Sequence, residues 1–179
     1  MDSIKKEITC SPQLQSLIRV NHAGERAAVK LYQGQLEILG QSQYAPLLSH
    51  MLTQESNHFQ KFESHRIQNQ IPPTLLEPLW DKAAYGLGII SALLGPKAAM
   101  ACTLAIEEVI EDHYAQQLND LPLDTPMDVK NLVTTCYQEE QEHKHIGHDH
   151  HAEEMKGYKT FKNLIKVGCR AAIWISKRV

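Results

Sequence analysis

Proline and glycine divide this chain into six stretches in which apolar residues recur with the period of an α-helix, and no stretch alternates with the period of a β-strand. Ser11 followed by Pro12 is a favourable helix start, because the serine oxygen caps free amide groups and proline is tolerated in the first turn. The breaks predict helices over about 12–39, 46–69, 74–94, 96–118, 126–155 and 159–176, with Gly157 as C-cap of the fifth. The sequence therefore predicts an all-α bundle.

Size and composition fit a single domain over residues 1–179. Of the 179 residues 42% are hydrophobic, and no low-complexity linker divides the chain. Its four cysteines form no Cys-x-x-Cys pair, which disfavours a disulfide scaffold and a thiolate zinc site. The longest uncharged stretch, Ala83 to Pro96, is 14 residues long, short of the roughly 20 that span a bilayer. No secretory leader is recognisable in residues 1–11, so we expect neither secretion nor an embedded membrane segment.

Glutamates interrupt the apolar stripes of four predicted helices, and two of these helices carry a Glu-x-x-His motif. The i, i+3 spacing of such a motif puts both side chains on one helix face. The residues are Glu25 in the first helix, Glu55 and His58 in the second, Glu107 in the fourth, and Glu140 and His143 in the fifth. Buried carboxylates carry a severe desolvation penalty, and the stripes offer few Lys or Arg residues to offset it. Binding of metal ions between the helices would resolve this conflict.

The fifth helix contains a second copy of the motif, Glu142 with His145, and helical phase distinguishes the two copies. Glu140 is in line with Val133 and Cys136, on an apolar stripe, whereas Glu142 is in line with polar residues. We therefore predict that Glu140 faces inward and Glu142 faces solvent.

Single glutamates on two helices and Glu-x-x-His motifs on two others are typical of a ferritin-like four-helix bundle, here with two additional helices, that holds two metal ions. The intervals support an internal pseudo-repeat over residues 12–70 and 96–156, because Glu55 follows Glu25 by 30 residues and Glu140 follows Glu107 by 33. Carboxylate and imidazole ligands suit iron or manganese. We predict that Glu55 and Glu140 bridge the two ions. Glu25 and His58 would then complete one metal position, and Glu107 and His143 the other.

Several longer stretches resemble the demethoxyubiquinone hydroxylase family of ubiquinone biosynthesis, and the resemblance covers nearly the whole chain. They are RVNHAGE at 19–25, PLW at 78–80, ALLG at 92–95, AMACTLAIEE at 99–108 and GCR at 168–170. The chain departs from the family pattern at Asp112, at Arg26 and in additional histidines, which are His145, His148, His150 and His151. None of these departures removes a predicted ligand, and the role of the histidine cluster stays open.

The resemblance implies an oxidoreductase, a 3-demethoxyubiquinol 3-hydroxylase, that uses two iron ions and dioxygen to hydroxylate the ring of a polyprenylated benzoquinol. It implies that the six predicted residues are the ligands, and it favours Glu107 over the adjacent Glu108. His113 and Tyr114 match a His-Tyr pair near the family's site, and Tyr114 is a candidate catalytic residue that relays a proton or an electron. The electrons would come from the quinol itself or from NADH or NADPH, although no GxGxxG fingerprint is present.

A polyprenyl tail has to be collected from a bilayer surface or a lipid carrier. The apolar stretch 83–94 and the basic amphipathic stretch 159–178 both fit interfacial docking, which predicts a peripheral protein on the cytoplasmic side of the cell membrane. Packing of these stretches within the protein or between subunits is the alternative. Other ubiquinone-biosynthesis proteins are candidate partners, and nucleic acid is disfavoured by the net charge of -3.

Three other functions fit the same pattern less well. A ferritin-like iron-oxidising or storage protein would use the same ligands without an organic substrate. A peroxidase of the rubrerythrin type would need a separate iron-thiolate module, for which the sequence has no Cys-x-x-Cys pair. A non-enzymatic bundle would need bases that satisfy the inward glutamates.

Overall fold

The computed structural model describes residues 10–178, which form six α-helices and no β-strand. The helices are α1 (Pro12–Leu39), α2 (Ala45–Gln68), α3 (Glu77–Leu93), α4 (Pro96–Asn119), α5 (Met127–Asp149) and α6 (Tyr158–Ser176). A short 3₁₀ helix, Ala152–Glu154, lies between α5 and α6. The prediction of an all-α bundle is confirmed.

The bundle consists of two helix hairpins, α1 with α2 and α4 with α5, and each hairpin carries one additional helix. Helix α3 packs along α1, and α6 packs along α4. The two hairpins meet between α2 and α5 and between α1 and α4. The inward faces of the four central helices therefore enclose a common interior, to which α3 and α6 are peripheral.

The start of α1 is capped as its sequence predicts. Ser11 Oγ accepts a hydrogen bond from the backbone N–H of Leu14 at 3.2 Å. The same serine also ties this end of the helix to the α4–α5 connection, because its backbone N–H and its hydroxyl both donate to the carboxylate of Asp124, at 2.9 and 2.8 Å.

Two glycines allow α1 and α3 to approach each other closely. A Cβ atom at Gly88 would lie 2.2 Å from the carbonyl oxygen of Leu31, and one at Gly34 would lie 2.3 Å from that of Tyr85. Both distances are far shorter than a van der Waals contact, so any side chain at either position would force the helices apart. The close approach fixes α3 against the outer side of α1.

Two predicted helix boundaries were wrong. Helix α5 ends at Asp149, not near residue 155, because His151 adopts a left-handed conformation with φ 60° and the chain turns so that Ala152 is buried in the core. Gly157, with φ 80°, is the N-cap of α6 and not the C-cap of α5. Helix α3 begins at Glu77 and not at residue 74, which places Pro78 in the first turn, where no backbone donor is needed.

No helix within residues 10–178 is both long and apolar enough to cross a bilayer. The proposed pseudo-repeat over 12–70 and 96–156 and the single-domain assignment stay predictions.

Candidate metal centre

The six predicted ligand residues all point into the interior of the bundle, and none is more than 3% exposed. They come from all four central helices, as the stripe argument predicted. Their exposures are 3% for Glu25, 1% for Glu55, 1% for His58, 1% for Glu107, 1% for Glu140 and 0% for His143. The structure thus brings together side chains that lie up to 118 residues apart in sequence.

The ligand atoms of these residues form two overlapping groups, in each of which the atoms lie within 4.8 Å of one another. Glu55 and Glu140 belong to both groups. Glu25 and His58 complete the first group, and Glu107 and His143 complete the second. This arrangement is the geometry that two bridging glutamates between two metal positions require.

Many of the inward polar atoms have no hydrogen-bond partner in the described part of the chain. They are Oε2 of Glu25, both carboxylate oxygens of Glu55, Oε2 of Glu107, Oε2 of Glu140, both ring nitrogens of His58 and Nδ1 of His143. Each unsatisfied buried polar group costs about 1–3 kcal/mol, so this concentration of them calls for a missing partner. Divalent cations would supply that partner, and the oxygen and nitrogen donors suit iron or manganese. The residues therefore fit a pair of such ions.

Burial and neighbouring charges shift the pKa values of the glutamates at the site. Burial and the neighbouring Glu55 raise the pKa of Glu25 to about 7, against the opposing effect of His58. Burial, with the nearby Glu107 and Glu55, raises the pKa of Glu140 well above its ordinary value. Burial opposes ionisation of Glu55 too, but its contacts with His143 and His58 outweigh burial and lower its pKa to about 2.

The two buried histidines favour their protonated, positively charged forms. Burial alone would lower the pKa of His58, but Cys136, Glu25 and Glu55 together raise it far above its ordinary value. Burial likewise opposes protonation of His143, and Glu55 and Glu107 raise its pKa nonetheless. Without metal ions, the site therefore holds protons where cations would otherwise lie.

Two tyrosines bind the non-bridging glutamates from across the bundle. Tyr32 on α1 donates a hydrogen bond to Glu107 Oε1 of α4 at 2.7 Å, and Tyr114 on α4 donates to Glu25 Oε1 of α1. Each tyrosine follows the glutamate of its own helix by seven residues. The sequence motifs pointed to Tyr114 but not to Tyr32. The repeated seven-residue spacing was the signal that would have identified it.

Two further neighbours were missed by sequence reasoning. Glu139 Oε2 lies 2.9 Å from His58 Nε2, and Gln54 Oε1 lies 3.0 Å from His143 Nε2. Cys136 also lies inside the site, within reach of both Glu25 and His58. Glu139 and Gln54 immediately precede the two predicted bridging glutamates, which was the signal available in the sequence.

The alternatives weighed in the sequence lie away from the site. Glu142 is exposed, and Glu108 is paired with Lys162 at 2.6 Å and Lys166 at 2.8 Å. The predicted preference for Glu140 and Glu107 agrees with this placement.

His113 lies beside Tyr114, with 6.0 Å between ring centroids, and is placed 3.3 Å from the Asn21 side chain.

The residues of the histidine cluster lie on or near the surface, His145 and His148 in the last turns of α5 and His150 and His151 just beyond its end. His148 pairs with Glu153 and His151 with Glu154, each at 3.1 Å, and these four side chains are all more than 40% exposed. They take no part in the buried site.

The family described as ubiquinone biosynthesis protein COQ7 matches residues 12–176, which include all six helices. The chain belongs to the COQ7 family. It is 42% identical to the NADPH-dependent 3-demethoxyubiquinone 3-hydroxylase, mitochondrial, of Dictyostelium discoideum, over 100% of this chain and 83% of that protein. It is 44% identical to the 3-demethoxyubiquinol 3-hydroxylase of Rhodospirillum rubrum, over 90% of this chain and 76% of that protein. The human protein with the same name as the Dictyostelium one is 40% identical over 91% of this chain.

Membership of the COQ7 family confirms the resemblance found in the sequence motifs. The match spans both hairpins, so it includes every helix that contributes to the buried site. The eukaryotic relatives are named as mitochondrial proteins, whereas the name of the Rhodospirillum rubrum protein gives no compartment.

Proposed function

We propose that this COQ7-family chain is a di-iron monooxygenase that hydroxylates the ring of demethoxyubiquinol, a polyprenylated benzoquinol, with dioxygen in ubiquinone biosynthesis. The observation that carries the proposal is the pair of overlapping ligand groups, which share Glu55 and Glu140 and leave most of their inward atoms without a partner. The names of the relatives supply the reaction, since each is a demethoxyubiquinone or demethoxyubiquinol hydroxylase.

The six side chains would hold the ions from all sides of the bundle. Glu25 with His58 and Glu107 with His143 would bind one ion each, and Glu55 and Glu140 would bridge them. Four carboxylates balance the charge of two divalent cations, which makes the buried centre neutral. When bound, the iron pair supplies the redox chemistry that activates dioxygen for attack on an electron-rich ring.

The protein's own residues would orient the ligands and keep the centre dry. Tyr32 donates a hydrogen bond to one carboxylate oxygen of Glu107, and Tyr114 donates one to Glu25. The second oxygen of each carboxylate is thereby left free for a metal ion. Tyr114 would also move a proton to or from Glu25, because its hydroxyl already bonds that carboxylate. The surrounding core, which includes Ile18, Phe62 and Met100, excludes bulk water from the ligands.

Besides dioxygen, the reaction requires two electrons and two protons, because one oxygen atom enters the ring while the other leaves as water. NADPH appears in the names of the Dictyostelium and human relatives. We therefore propose NADH or NADPH as the ultimate electron source, with the quinol substrate as the alternative immediate donor.

The substrate's tail would be collected at a membrane surface. Helix α6 exposes Leu164 (72%), Val167 (64%) and Trp174 (58%), and α3 exposes Leu93 (66%) near its end. Basic side chains accompany the apolar residues on α6, as expected of a helix that lies in the interface of an anionic bilayer. We propose peripheral attachment, on the cytoplasmic side of the cell membrane, as the location of this chain.

The metal assignment is tested by replacing Glu140 with Ala and Glu142 with Ala as the matched control on the same helix. Glu140→Ala should lose bound iron and quinol hydroxylation together, because one carboxylate is shared by both ligand groups. Glu142→Ala should retain both, since that side chain faces solvent. Equal iron content in the two variants would refute the site, and two bound irons without quinol hydroxylation would favour an iron-oxidising protein instead.

Membrane attachment is tested separately by sedimentation with vesicles that contain anionic lipid. The full chain should bind in low salt and be released by high salt. Leu164→Glu should weaken binding, whereas Leu123→Glu, at a fully exposed position in the α4–α5 connection, should not. Binding that is equally strong to neutral vesicles, or unaffected by Leu164→Glu, would contradict this surface.

A further inference from the structure

The environment of the two buried histidines is built with approximate two-fold symmetry. In each hairpin, the residue that immediately precedes the shared glutamate reaches across to the histidine of the other hairpin. Gln54 precedes Glu55 and lies 3.0 Å from His143 Nε2, and Glu139 precedes Glu140 and lies 2.9 Å from His58 Nε2. Each imidazole is thus contacted at its Nε2 atom by a residue of the opposite hairpin.

These contacts determine which ring nitrogen faces the interior of the site. His58 Nδ1 lies 3.3 Å from Glu25 Oε2, and His143 Nδ1 lies 3.1 Å from Glu55 Oε1. Both Nδ1 atoms lack a hydrogen-bond partner, as expected of atoms aimed at the two metal positions, whereas His58 Nε2 has the Glu139 carboxylate at ion-pair distance. A polar partner behind a metal-binding imidazole fixes the orientation of the ring and strengthens the donor atom on its other side.

The symmetry is broken in charge at the residues that contact the two histidines. The tyrosines that bind Glu107 and Glu25 are chemically equal, but the residues behind the histidines are a neutral amide, Gln54, and a carboxylate, Glu139. A carboxylate is the stronger acceptor and makes the imidazole a better donor to a cation than an amide does. The two metal positions therefore differ in ligand strength although their ligand types are the same.

We propose that Glu139 and Gln54 are positioning residues which hold the Nδ1 atoms of His58 and His143 toward the metal positions, and that their difference in charge makes the two positions inequivalent. The position that contains His58 is the one that binds its cation more tightly. This inference rests on the proposed di-iron site, and it adds two residues and an asymmetry which that proposal does not contain.

The test exchanges the two side chains. Purified metal-free protein is reconstituted anaerobically with isotopically enriched ferrous iron, and the Mössbauer spectrum is recorded for the parent chain, Glu139→Gln, Gln54→Glu and the double exchange. The parent should give two distinct quadrupole doublets. Each single variant, in which both histidines have the same partner type, should bring the doublets together, and the double exchange should separate them again.

Metal affinity provides a second measurement that does not depend on catalysis. In a titration with Co²⁺, Glu139→Gln should weaken binding of the first ion by up to about ten- to a hundred-fold, the range expected when the partner of a metal-binding histidine is removed, because the amide keeps an acceptor but loses the charge. Glu142→Gln, an exposed carboxylate on the same helix, is the matched control and should leave the titration and the spectrum unchanged.

The possible outcomes distinguish a failure of this inference from a failure of the proposed di-iron site. If the parent chain fails to bind two ions, the proposed di-iron site itself is wrong. If the parent binds two ions but Glu139→Gln has the same doublets and the same affinities as Glu142→Gln, the di-iron site stands and the asymmetry is refuted. Gln54→Glu, which leaves Glu139 in place, decides the question even if Glu139→Gln folds poorly, because two separate doublets in that variant would equally refute the asymmetry.

Discussion

Metal binding to this protein should release protons, because the metal-free site retains them on groups that a cation needs. At pH 7 the metal-free protein keeps a proton on Glu140, whose pKa is raised well above its ordinary value by burial and by Glu107 and Glu55. It keeps another on His58, whose raised pKa reflects Cys136, Glu25 and Glu55 outweighing burial. Ligand atoms must lose these protons before they can bind a cation.

The number of released protons follows from the same groups. Glu140 and His58 contribute one each, and Glu25, with a pKa of about 7, is half protonated at pH 7. His143 and Glu107, whose pKa values are also raised, add to this number, so loading of both positions should release more than two protons in total at pH 7. The combined affinity for the two ions should then fall by more than about a hundredfold for each unit by which the pH is lowered near 7.

The release is measured by isothermal titration calorimetry of metal-free protein with Co²⁺ in several buffers of different ionisation enthalpy. The slope of the observed enthalpy against the buffer enthalpy gives the number of protons. A release of fewer than about one proton would show that the buried charges are balanced in another way, and would refute the account of the site as one that exchanges protons for cations.

Three other results are expected. Gly88→Ala should lower the free energy of unfolding by about 1–3 kcal/mol in a denaturant titration, because its Cβ would strike the backbone of α1. Gly86→Ala on the same helix has open space around its Cβ and should instead stabilise the protein by up to about 1 kcal/mol. Tyr32→Phe should cost about 1–3 kcal/mol and weaken metal binding, because Glu107 loses its buried donor. The metal-free protein should lose stability as the pH rises from about 4.5 to about 7, because Glu25 ionises near 4.5 in the unfolded chain but only near 7 in the folded protein, whereas metal-loaded protein should not show this loss.

Much of the site was predictable because it depends on local periodicity. The i, i+3 spacing of Glu55 and His58 and the position of each glutamate within an apolar stripe follow from helix geometry alone. The same reasoning distinguished Glu140 from Glu142, since residues two apart on a helix point in different directions. The structure buries the first and exposes the second.

The features that could not be predicted from the sequence depend on contacts between helices. Tyr32 appeared in its own helix as one more apolar residue, and only the packing of α1 against α4 brings its hydroxyl to Glu107. The Glu139 side chain is 30% exposed, so it belongs neither to the buried face nor to the solvent face of α5. Its contact with His58 depends on how closely α5 approaches α2. The close approach of α1 to α3 at Gly88 could not be predicted either, because a glycine within a helix does not indicate which other helix packs against it.

The amino-acid sequence by itself determined the helices, the inward direction of the six candidate ligands and, through its motifs, the COQ7 family. These features depend on intervals along one helix or on short contiguous stretches of chain. The tertiary structure alone decided where α5 ends, which tyrosine bonds which carboxylate, and which neighbour lies behind each histidine. Those relations depend on distances and rotations between helices, which are set by the packing of whole faces and are not encoded in any single interval of the chain.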